Sequence, residues 1–300
     1  TEKYVYLCGR KDVPFWSLIL DKPVVLRVEM KDGEVDENNV YQYSYYSETL
    51  TETAIPAERI RKSRVSRSLT DEQMKEFEVL IKKRAERVPL QYITGEQEFM
   101  GLTFHVNSNV LIPRQDTETL VEEALKVIKP GMRVLDMCTG SGCVLISILK
   151  YAHDVEGFGY DISKQAINVA KENAKLNDVS ALFERSDLFE DVMESDMDVI
   201  VSNPPYIPSE IVTTLMPEVV DFEPREALDG KEDGLYFYRK IIDRCKEFLK
   251  PQGYLLFEIG YDQGEAVKNL MEAQDFACVE IKKDLAGLDR LVFGFAREGE

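Results

Sequence analysis

Histidine and cysteine are scarce in this chain, with 2 and 5 in 300 residues. They are His105, His153, Cys8, Cys138, Cys143, Cys245 and Cys278. None stands in a CxxC pair or a zinc-like cluster, and a structural zinc site needs several such ligands at close spacing. The sequence therefore predicts no metal site. The odd number of cysteines indicates free thiols in a reducing cytoplasm.

Long hydrophobic runs and positive charge are also lacking. No apolar segment approaches the roughly 20 residues that span a bilayer, and the first residues do not have the pattern of a signal peptide. The chain has 37 basic and 55 acidic side chains, a net charge of −18. A surface this negative repels nucleic-acid phosphates at long range. We therefore expect a cytoplasmic protein with no membrane partner and no direct nucleic acid binding.

The first 65 residues differ in pattern from the rest. Pro23–Met30 is typical of a strand, and Asp32-Gly33 is a turn signal that favours a hairpin after it. The aromatic-rich segment Tyr41–Tyr46 also suits a strand. From Ser68 onward, capping residues introduce a charged helical stretch that runs to Arg87 and is ended by a proline.

After residue 130, short apolar runs alternate with helical stretches. The predicted strands are 133–136, 157–161, 181–184, 197–202, 253–259 and 291–296. The predicted helices are 143–151 and 164–176. This alternation implies an α/β fold, with a mostly parallel sheet covered by helices on both faces.

A glycine-rich loop, Asp136-Met137-Cys138-Thr139-Gly140-Ser141-Gly142, follows the first of these strands and precedes a helix. Glycine lets the backbone turn sharply and approach a ligand closely. Ligands bind at such helix N-termini, outside the carboxyl ends of the strands of open α/β sheets. The spacing differs from that of dinucleotide and P-loop motifs. The leading carboxylate, Asp136, suits a ligand that carries an ammonium group.

Two acidic residues follow the next two strands. Asp161 ends its strand at the place where a carboxylate commonly binds ribose hydroxyls. Asp187 could accept a hydrogen bond from an adenine amino group while Leu188 packs on the ring. Both carboxylates could instead cap the helices that follow them.

The sequence Asn203-Pro204-Pro205-Tyr206 follows the apolar strand that ends at Ser202. Two prolines stiffen the loop and remove two backbone donors. The Asn203 side-chain oxygen and the Pro204 carbonyl remain as acceptors, which suits the two N–H groups of an amide or exocyclic amine. Tyr206 could cover the planar group by stacking. The loop predicts methyl transfer to a planar nitrogen.

These motifs occur in a series that resembles the release-factor glutamine methyltransferases, the HemK/PrmC family. The resemblance runs from about Arg84 to Arg297, roughly two-thirds of the chain. Besides the loops above, it rests on Pro89–Phe99, Val110–Glu118 and Phe222–Leu228.

The resemblance implies a Rossmann-like class I methyltransferase sheet with S-adenosylmethionine as methyl donor. It implies as acceptor the N5 amide of the glutamine in the Gly-Gly-Gln motif of peptide chain release factors, and so a role in translation termination. By position, the family's cofactor contacts correspond to Cys138, Thr139, Gly140, Ser141, Gly142, Asp161, Leu188 and Asn203. Its substrate-glutamine site corresponds to Asn203, Pro204, Pro205 and Tyr206.

The chain departs from the family in two places. Cys138 stands where many members have glycine. Residues 1–65 look strand-like, whereas the family carries an all-helical N-terminal domain. We therefore predict an N-terminal region at 1–88 with a helical part at 68–88, a linker or hairpin at 89–125, and a methyltransferase domain at 126–300.

Three other functions fit parts of this pattern. The same acceptor loop serves DNA adenine-N6 methylation once a base is flipped out, although the net charge of −18 opposes it. A relative could methylate a glutamine of a ribosomal protein, but residues 112–118 fit the release-factor branch better. An α/β binding module would bind the cofactor without turnover.

Overall fold

A computed structural model describes residues 5–8, 26–28, 35–42, 47–51, 60–62 and 71–297. The chain forms two compact units, Thr1–Ile93 and Thr94–Glu300. The strands are β1 Val5–Cys8, β2 Leu26–Val28, β3 Val35–Gln42, β4 Ser47–Thr51, β5 Ile60–Lys62, β6 Glu96–Phe99, β7 Leu102–His105, β8 Arg133–Met137, β9 Glu156–Asp161, β10 Leu182–Arg185, β11 Met197–Ser202, β12 Leu249–Glu258, β13 Phe276–Lys283 and β14 Asp289–Ala296. The helices are α1 Asp71–Ala85, α2 Leu90–Thr94, α3 Glu118–Val127, α4 Cys143–Tyr151, α5 Lys164–Leu176, α6 Ser209–Val212, α7 Pro217–Val220, α8 Tyr236–Cys245 and α9 Gly264–Ala273.

The first unit contains short antiparallel strands and the charged helix α1. Strands β1, β4 and β3 form one sheet in that order. The prediction of a hairpin directly after Pro23–Met30 is wrong, because β2 pairs with β5, with Leu26 opposite Lys62. An Asp-Gly turn signal is a local preference, and the pairing partner of a strand is chosen by the three-dimensional packing. The turn itself, Tyr43–Tyr46 and the capping residues before α1 lie outside the described residues.

The second unit is built on a seven-stranded sheet in the order β10-β9-β8-β11-β12-β14-β13. The first five strands are parallel, and β14 runs antiparallel to both β12 and β13. This confirms the predicted α/β class and its mostly parallel sheet. The predicted strands and helices after residue 130 are all present. The sequence pattern did not predict α6, α7, α8, α9 or β13 in this part, or α3 before it.

The centre of the sheet is apolar because it is covered on both faces. In β11, Val199, Ile200 and Val201 are fully buried, as expected for a central parallel strand. One buried cluster includes Ile200, Tyr238 and Phe257, and the other includes Val199, Val201 and Leu256. Alternate residues of the same strands therefore pack into cores on opposite faces of the sheet.

A hairpin of β6 and β7 lies within residues 89–125, where a linker or hairpin was predicted. The fully buried Asn173 of α5 holds it in place. Its Oδ1 accepts from the His105 backbone N–H at 2.7 Å, and its Nδ2 donates to the His105 carbonyl at 3.0 Å. Because Nδ2 also donates to the Ser141 carbonyl at 2.9 Å, the hairpin and the glycine-rich loop share one anchor.

Candidate active site

The loops that carry the predicted motifs leave the sheet side by side. Met137 of β8 is paired in register with Tyr160 of β9 and with Ser202 of β11. The Ser202 hydroxyl donates to the Met137 carbonyl at 2.6 Å and ties two of these strand ends together. The chain passes from β8 outward to β10 and then returns to β11 on the other side of β8. Such a switch point is where open α/β sheets form binding crevices.

The glycine-rich loop adopts left-handed backbone conformations at three positions. The φ angles are 64° at Cys138, 55° at Gly140 and 79° at Gly142. A left-handed conformation costs a residue with a Cβ roughly 1–2 kcal/mol, so Cys138 occupies a position that favours glycine. A Cβ on Gly142 would lie 2.9 Å from Ile146 Cδ1 and 3.1 Å from Ala170 Cβ. Gly142 thus allows α4 to begin close against α5.

Asp161, at the end of the neighbouring strand β9, is hydrogen-bonded to the glycine-rich loop. Its Oδ2 accepts from the Gly140 backbone N–H at 2.9 Å, and its Oδ1 accepts from the Ser163 N–H at 2.9 Å. The cap of α5 is the Ser163 hydroxyl, which accepts from the Ala166 N–H at 3.2 Å. Asp161 is therefore not the capping residue itself. A carboxylate has about four lone-pair sites, so both oxygens can still accept from a ligand.

Burial changes the acid–base chemistry of this loop. Asp136 is 1% exposed. Burial raises its pKa to about 7, although the Thr139 hydroxyl, which donates to it at 2.6 Å, opposes the rise. Burial and the neighbouring carboxylates Asp161 and Asp136 raise the pKa of the Cys138 thiol well above its ordinary value. The thiol is therefore neutral and unreactive at physiological pH.

A cavity of about 320 Å³ opens at this edge of the sheet. Of the predicted site residues, its lining includes Cys138, Thr139, Gly140, Ser141, Asp161, Asp187, Leu188, Asn203 and Pro205. Gly142, Pro204 and Tyr206 are not in the lining. The cavity thus brings together residues from four loops that are separated in the sequence. Its volume lies at the lower end of the range that is usual for small-molecule sites, about 300–1,000 Å³.

The charges around the cavity favour a cationic ligand. Among its charged lining residues, Asp136, Asp161, Asp187 and Glu226 are acidic, and Arg114 and Lys231 are basic. Carboxylates near the glycine-rich loop complement an ammonium or sulfonium group and accept from hydroxyl or amino groups. The residues present therefore fit S-adenosylmethionine, which has all of these groups.

Asn203 is oriented by a residue from a distant part of the sequence. Its Nδ2 donates to the Thr117 hydroxyl oxygen at 3.4 Å. The backbone of the loop is fixed farther along, where the Tyr206 carbonyl accepts from Gln263 Nε2 at 2.9 Å. Burial, followed by the charge of Glu258, raises the pKa of the Tyr206 phenol. The phenol thus interacts with a buried carboxylate outside the cavity lining.

Arg114 and Glu223 join the segments Val110–Glu118 and Phe222–Leu228, for which no role was predicted from the sequence. Arg114 forms an ion pair with Glu223, whose side chain is 2% exposed. The same carboxylate accepts from the Ile112 backbone N–H at 3.3 Å. The segment before α3 is therefore attached to the segment after α7. Pro113 and Arg114 from the first segment, and Pro224 and Glu226 from the second, line that cavity.

Other expectations concern ligands and thiols. Cys138, Cys143, Cys245 and Cys278, the cysteines that the structure describes, are free thiols. Within the described part of the chain, no group of three or more His, Cys, Asp or Glu side chains is arranged to hold a metal ion. The described helices include none that is both long and apolar enough to cross a bilayer.

Two family models match parts of this chain. Residues 57–95 match the model of the PrmC N-terminal domain, and residues 114–220 match that of the methyltransferase small domain. The match to the PrmC N-terminal domain thus includes α1 and also residues 57–65, the end of the segment that was predicted to be strand-like.

Full-length relatives extend this similarity. The release factor glutamine methyltransferase of Clostridium acetobutylicum is 45% identical over 75% of this chain and 81% of its own length. That of Geobacter sulfurreducens is 39% identical over 87% of this chain and 93% of its own length. A methyltransferase structure from Pyrococcus furiosus, 13% identical, aligns with a TM-score of 0.51 over 76% of this chain and 100% of that one, which shows a shared fold.

Proposed function

The chain belongs to the family of release factor glutamine methyltransferases, and from that membership we propose the reaction that its site performs. It transfers a methyl group from S-adenosylmethionine to N5 of the glutamine in the Gly-Gly-Gln motif of peptide chain release factors. The observation that carries the proposal is that one cavity is lined by the glycine-rich loop, by Asp161 and by Asn203. A donor site and an acceptor site are thus adjacent.

The cofactor side of the cavity consists of the glycine-rich loop and the acidic residues after β9 and β10. S-adenosylmethionine, when bound, supplies an electrophilic methyl group on a sulfonium. Asp161 accepts from the ribose hydroxyls, while its bonds to Gly140 and Ser163 hold it rigid. Asp187 accepts from the adenine amino group, and Leu188 packs on the ring. Thr139, Ser141 and Cys138 shape the wall, where the neutral thiol adds no competing nucleophile.

The acceptor side is the loop that starts at Asn203. Asn203 Oδ1, in the cavity lining, accepts one N–H group of the substrate amide. Acceptance of the other N–H group by the Pro204 carbonyl stays a prediction, because Pro204 is not in that lining. The prolines present no competing donor. An amide nitrogen is a weak nucleophile because its lone pair is delocalised, so the chain contributes mainly alignment. When bound, S-adenosylmethionine would supply the methyl group, which the substrate nitrogen would take in place of the sulfur. The two acceptors would stabilise the positive charge that develops on nitrogen, which then loses its proton to solvent water.

The partner of the enzyme is a release factor, and we further propose that nucleic acid is not a substrate. The net charge of −18 and the mostly acidic charged lining of the cavity support this. Stacking of Tyr206 on the substrate amide stays a prediction, because its phenol interacts with Glu258 and its ring is not in the cavity lining. The cytoplasmic location also stays a prediction.

The test is transfer of a labelled methyl group. The chain is incubated with methyl-labelled S-adenosylmethionine and, separately, with a release factor, a ribosomal protein fraction and adenine-containing duplex DNA. We expect label on the release factor alone, on the glutamine of Gly-Gly-Gln after proteolysis and mass spectrometry. A release factor with that glutamine changed to alanine is the matched control. Label on DNA or a ribosomal protein, or cofactor binding without any transfer, contradicts the proposal.

A further inference from the structure

A buried carboxylate lies beside the acceptor loop and has no part in the reaction as described above. Glu258 ends β12, next to the end of β11, and is 2% exposed. Its Oε2 is one of the few buried side-chain oxygens without a hydrogen-bond partner among the described residues. An unsatisfied buried carboxylate oxygen is costly. A contribution to folding stability therefore does not explain why a carboxylate is buried at position 258.

The Thr117 hydroxyl is the group through which Glu258 can act on Asn203. Thr117, 3% exposed, acts on the Glu258 carboxyl group as a hydrogen-bonding neighbour that lowers its pKa, and its Oγ1 accepts from Asn203 Nδ2 at 3.4 Å. A hydroxyl has one proton and two lone pairs. If that proton is donated to Glu258, only lone pairs remain for Asn203. Asn203 must then present its NH₂ group to Thr117, which leaves Oδ1 on the opposite side.

The orientation of this amide matters because its two ends have nearly the same shape. The oxygen and nitrogen of an asparagine side chain differ in hydrogen bonding far more than in size. With Oδ1 toward the substrate, Asn203 accepts from the substrate amide. With Nδ2 there, it presents a donor to another donor. Packing alone discriminates weakly between the two orientations, so their hydrogen-bond partners decide.

We propose that Glu258 is a positioning residue, which acts through Thr117 to hold the Asn203 side chain with Oδ1 directed to the substrate amide. The inference rests on the proposed function, because it concerns the orientation of the acceptor in that reaction. Glu258 itself does not touch the substrate. Its role is to accept the Thr117 proton and so set the direction of the hydrogen bonds in this chain of three residues.

The surroundings of Glu258 support an acceptor role above neutral pH. Burial raises its pKa to about 7, whereas Thr117, Arg290 and Tyr206 act in the opposite direction. Asp116 raises the pKa further. Tyr238 and Cys143 also lie within electrostatic range, and neither is charged there because burial raises their pKa values. Once ionised, Glu258 can only accept, so the direction of the Thr117 hydrogen bond is fixed.

The experiment compares steady-state transfer to a release factor at pH 8 for the parent chain and five variants. They are Glu258→Gln, Thr117→Val, Thr117→Ser, the double variant Glu258→Gln/Thr117→Val and the exposed control Glu272→Gln. Glutamine can donate to Thr117 and reverse the hydrogen bond, and valine removes the hydroxyl without changing the shape. We expect both to lower kcat about 10–100-fold, the scale of a misaligned acceptor. KM and cofactor affinity measured by calorimetry should change less than about threefold, which converts to less than about 0.7 kcal/mol.

Two further results distinguish positioning from a general structural role. Thr117→Ser should recover most of the kcat lost in Thr117→Val, because the hydroxyl is restored. The double variant should be no slower than Thr117→Val, since Glu258 acts through the hydroxyl that valine removes. If Glu258→Gln fails to fold, the valine and serine variants still decide, because they test the same hydrogen bond.

The failures of the two proposals are distinguishable. If the parent chain methylates the release factor and both Glu258→Gln and Thr117→Val keep its kcat, the positioning role is wrong and the function stands. Losses that multiply in the double variant, or a valine variant that serine does not rescue, also overturn the route through Thr117. If the parent chain transfers no methyl group at all, the proposed function fails, and the inference fails with it.

Discussion

The side-chain amide of Asn203 donates to the hydroxyl of Thr117 at 3.4 Å, across 86 positions of sequence. Thr117 precedes α3, whereas Asn203 follows β11. Thr117 belongs to the segment Val110–Glu118, which resembles the family but had no predicted role, and Asn203 belongs to the predicted acceptor loop. Their hydrogen bond explains why the segment around Thr117 has a place in a methyl-transfer site.

Loss of Asn203 should reduce turnover far more than stability. In Asn203→Ala one of the two acceptors is gone, and misplacement of about 1 Å costs roughly a hundredfold in rate. The measurement is single-turnover methyl transfer to a release factor with saturating cofactor, together with thermal melting. Asn203→Asp keeps the shape and at least the same acceptors, so it should retain more activity than alanine. Transfer at the parent rate by Asn203→Ala would show that the acceptor model is wrong.

Loss of Asp161 should weaken cofactor binding. A hydrogen bond to a charged group contributes roughly 1.5–3 kcal/mol, so Asp161→Ala should raise the dissociation constant about tenfold to a hundredfold. Calorimetry with S-adenosylmethionine checks this. The matched control is Asp191→Ala, an exposed carboxylate outside the cavity lining. Equal affinity of both variants and the parent would remove Asp161 from the binding site.

Breaking the ion pair of Arg114 with Glu223 should destabilise the chain. Among the residues that the structure describes, Arg114→Met leaves the buried Glu223 carboxylate with only the Ile112 N–H as a partner. An under-satisfied buried group costs about 1–3 kcal/mol. The free energy of unfolding in urea, without cofactor, measures the loss. Arg239→Met is the control, because Arg239 and its partner Asp233 are 43% and 48% exposed, and such a surface pair contributes under about 1 kcal/mol. Equal losses would mean that Glu223 has other sufficient partners.

The raised pKa of Glu258 predicts a pH-dependent stability. Because the pKa is about 7 in the folded chain and 4.5 ordinarily, the folded state binds the proton more tightly than the unfolded state. The contribution of Glu258 to the free energy of unfolding therefore falls as pH rises from 4.5 to 7. Relative to the parent, Glu258→Gln should gain stability between pH 5 and pH 8, measured by urea unfolding at constant ionic strength. A difference in stability between variant and parent that is flat across this range would show that the pKa of Glu258 is not raised.

Much of the second unit was predictable from the sequence. The strand 197–202 and the helices 143–151 and 164–176 have the predicted bounds. Their patterns are clear because a central strand must be apolar on both faces and a helix that covers the sheet must be apolar on one. The loops at Asp136–Gly142 and Asn203–Tyr206 could be read because glycine and proline restrict the backbone locally. The partner of β2 could not be predicted, because an Asp-Gly turn signal is local and strand pairing is not.

The sequence by itself determined which residue types stand at the ends of β8, β9 and β11, because each loop follows an apolar run that had to be buried. Only the tertiary structure decided which of them meet. The strand order places Asp161, Cys138 and Asn203 around one cavity, while Pro204 and Tyr206 remain outside its lining. It also brings Thr117 and Glu258 to Asn203. Hydrogen bonds between segments depend on strand register and helix packing, which no local pattern encodes.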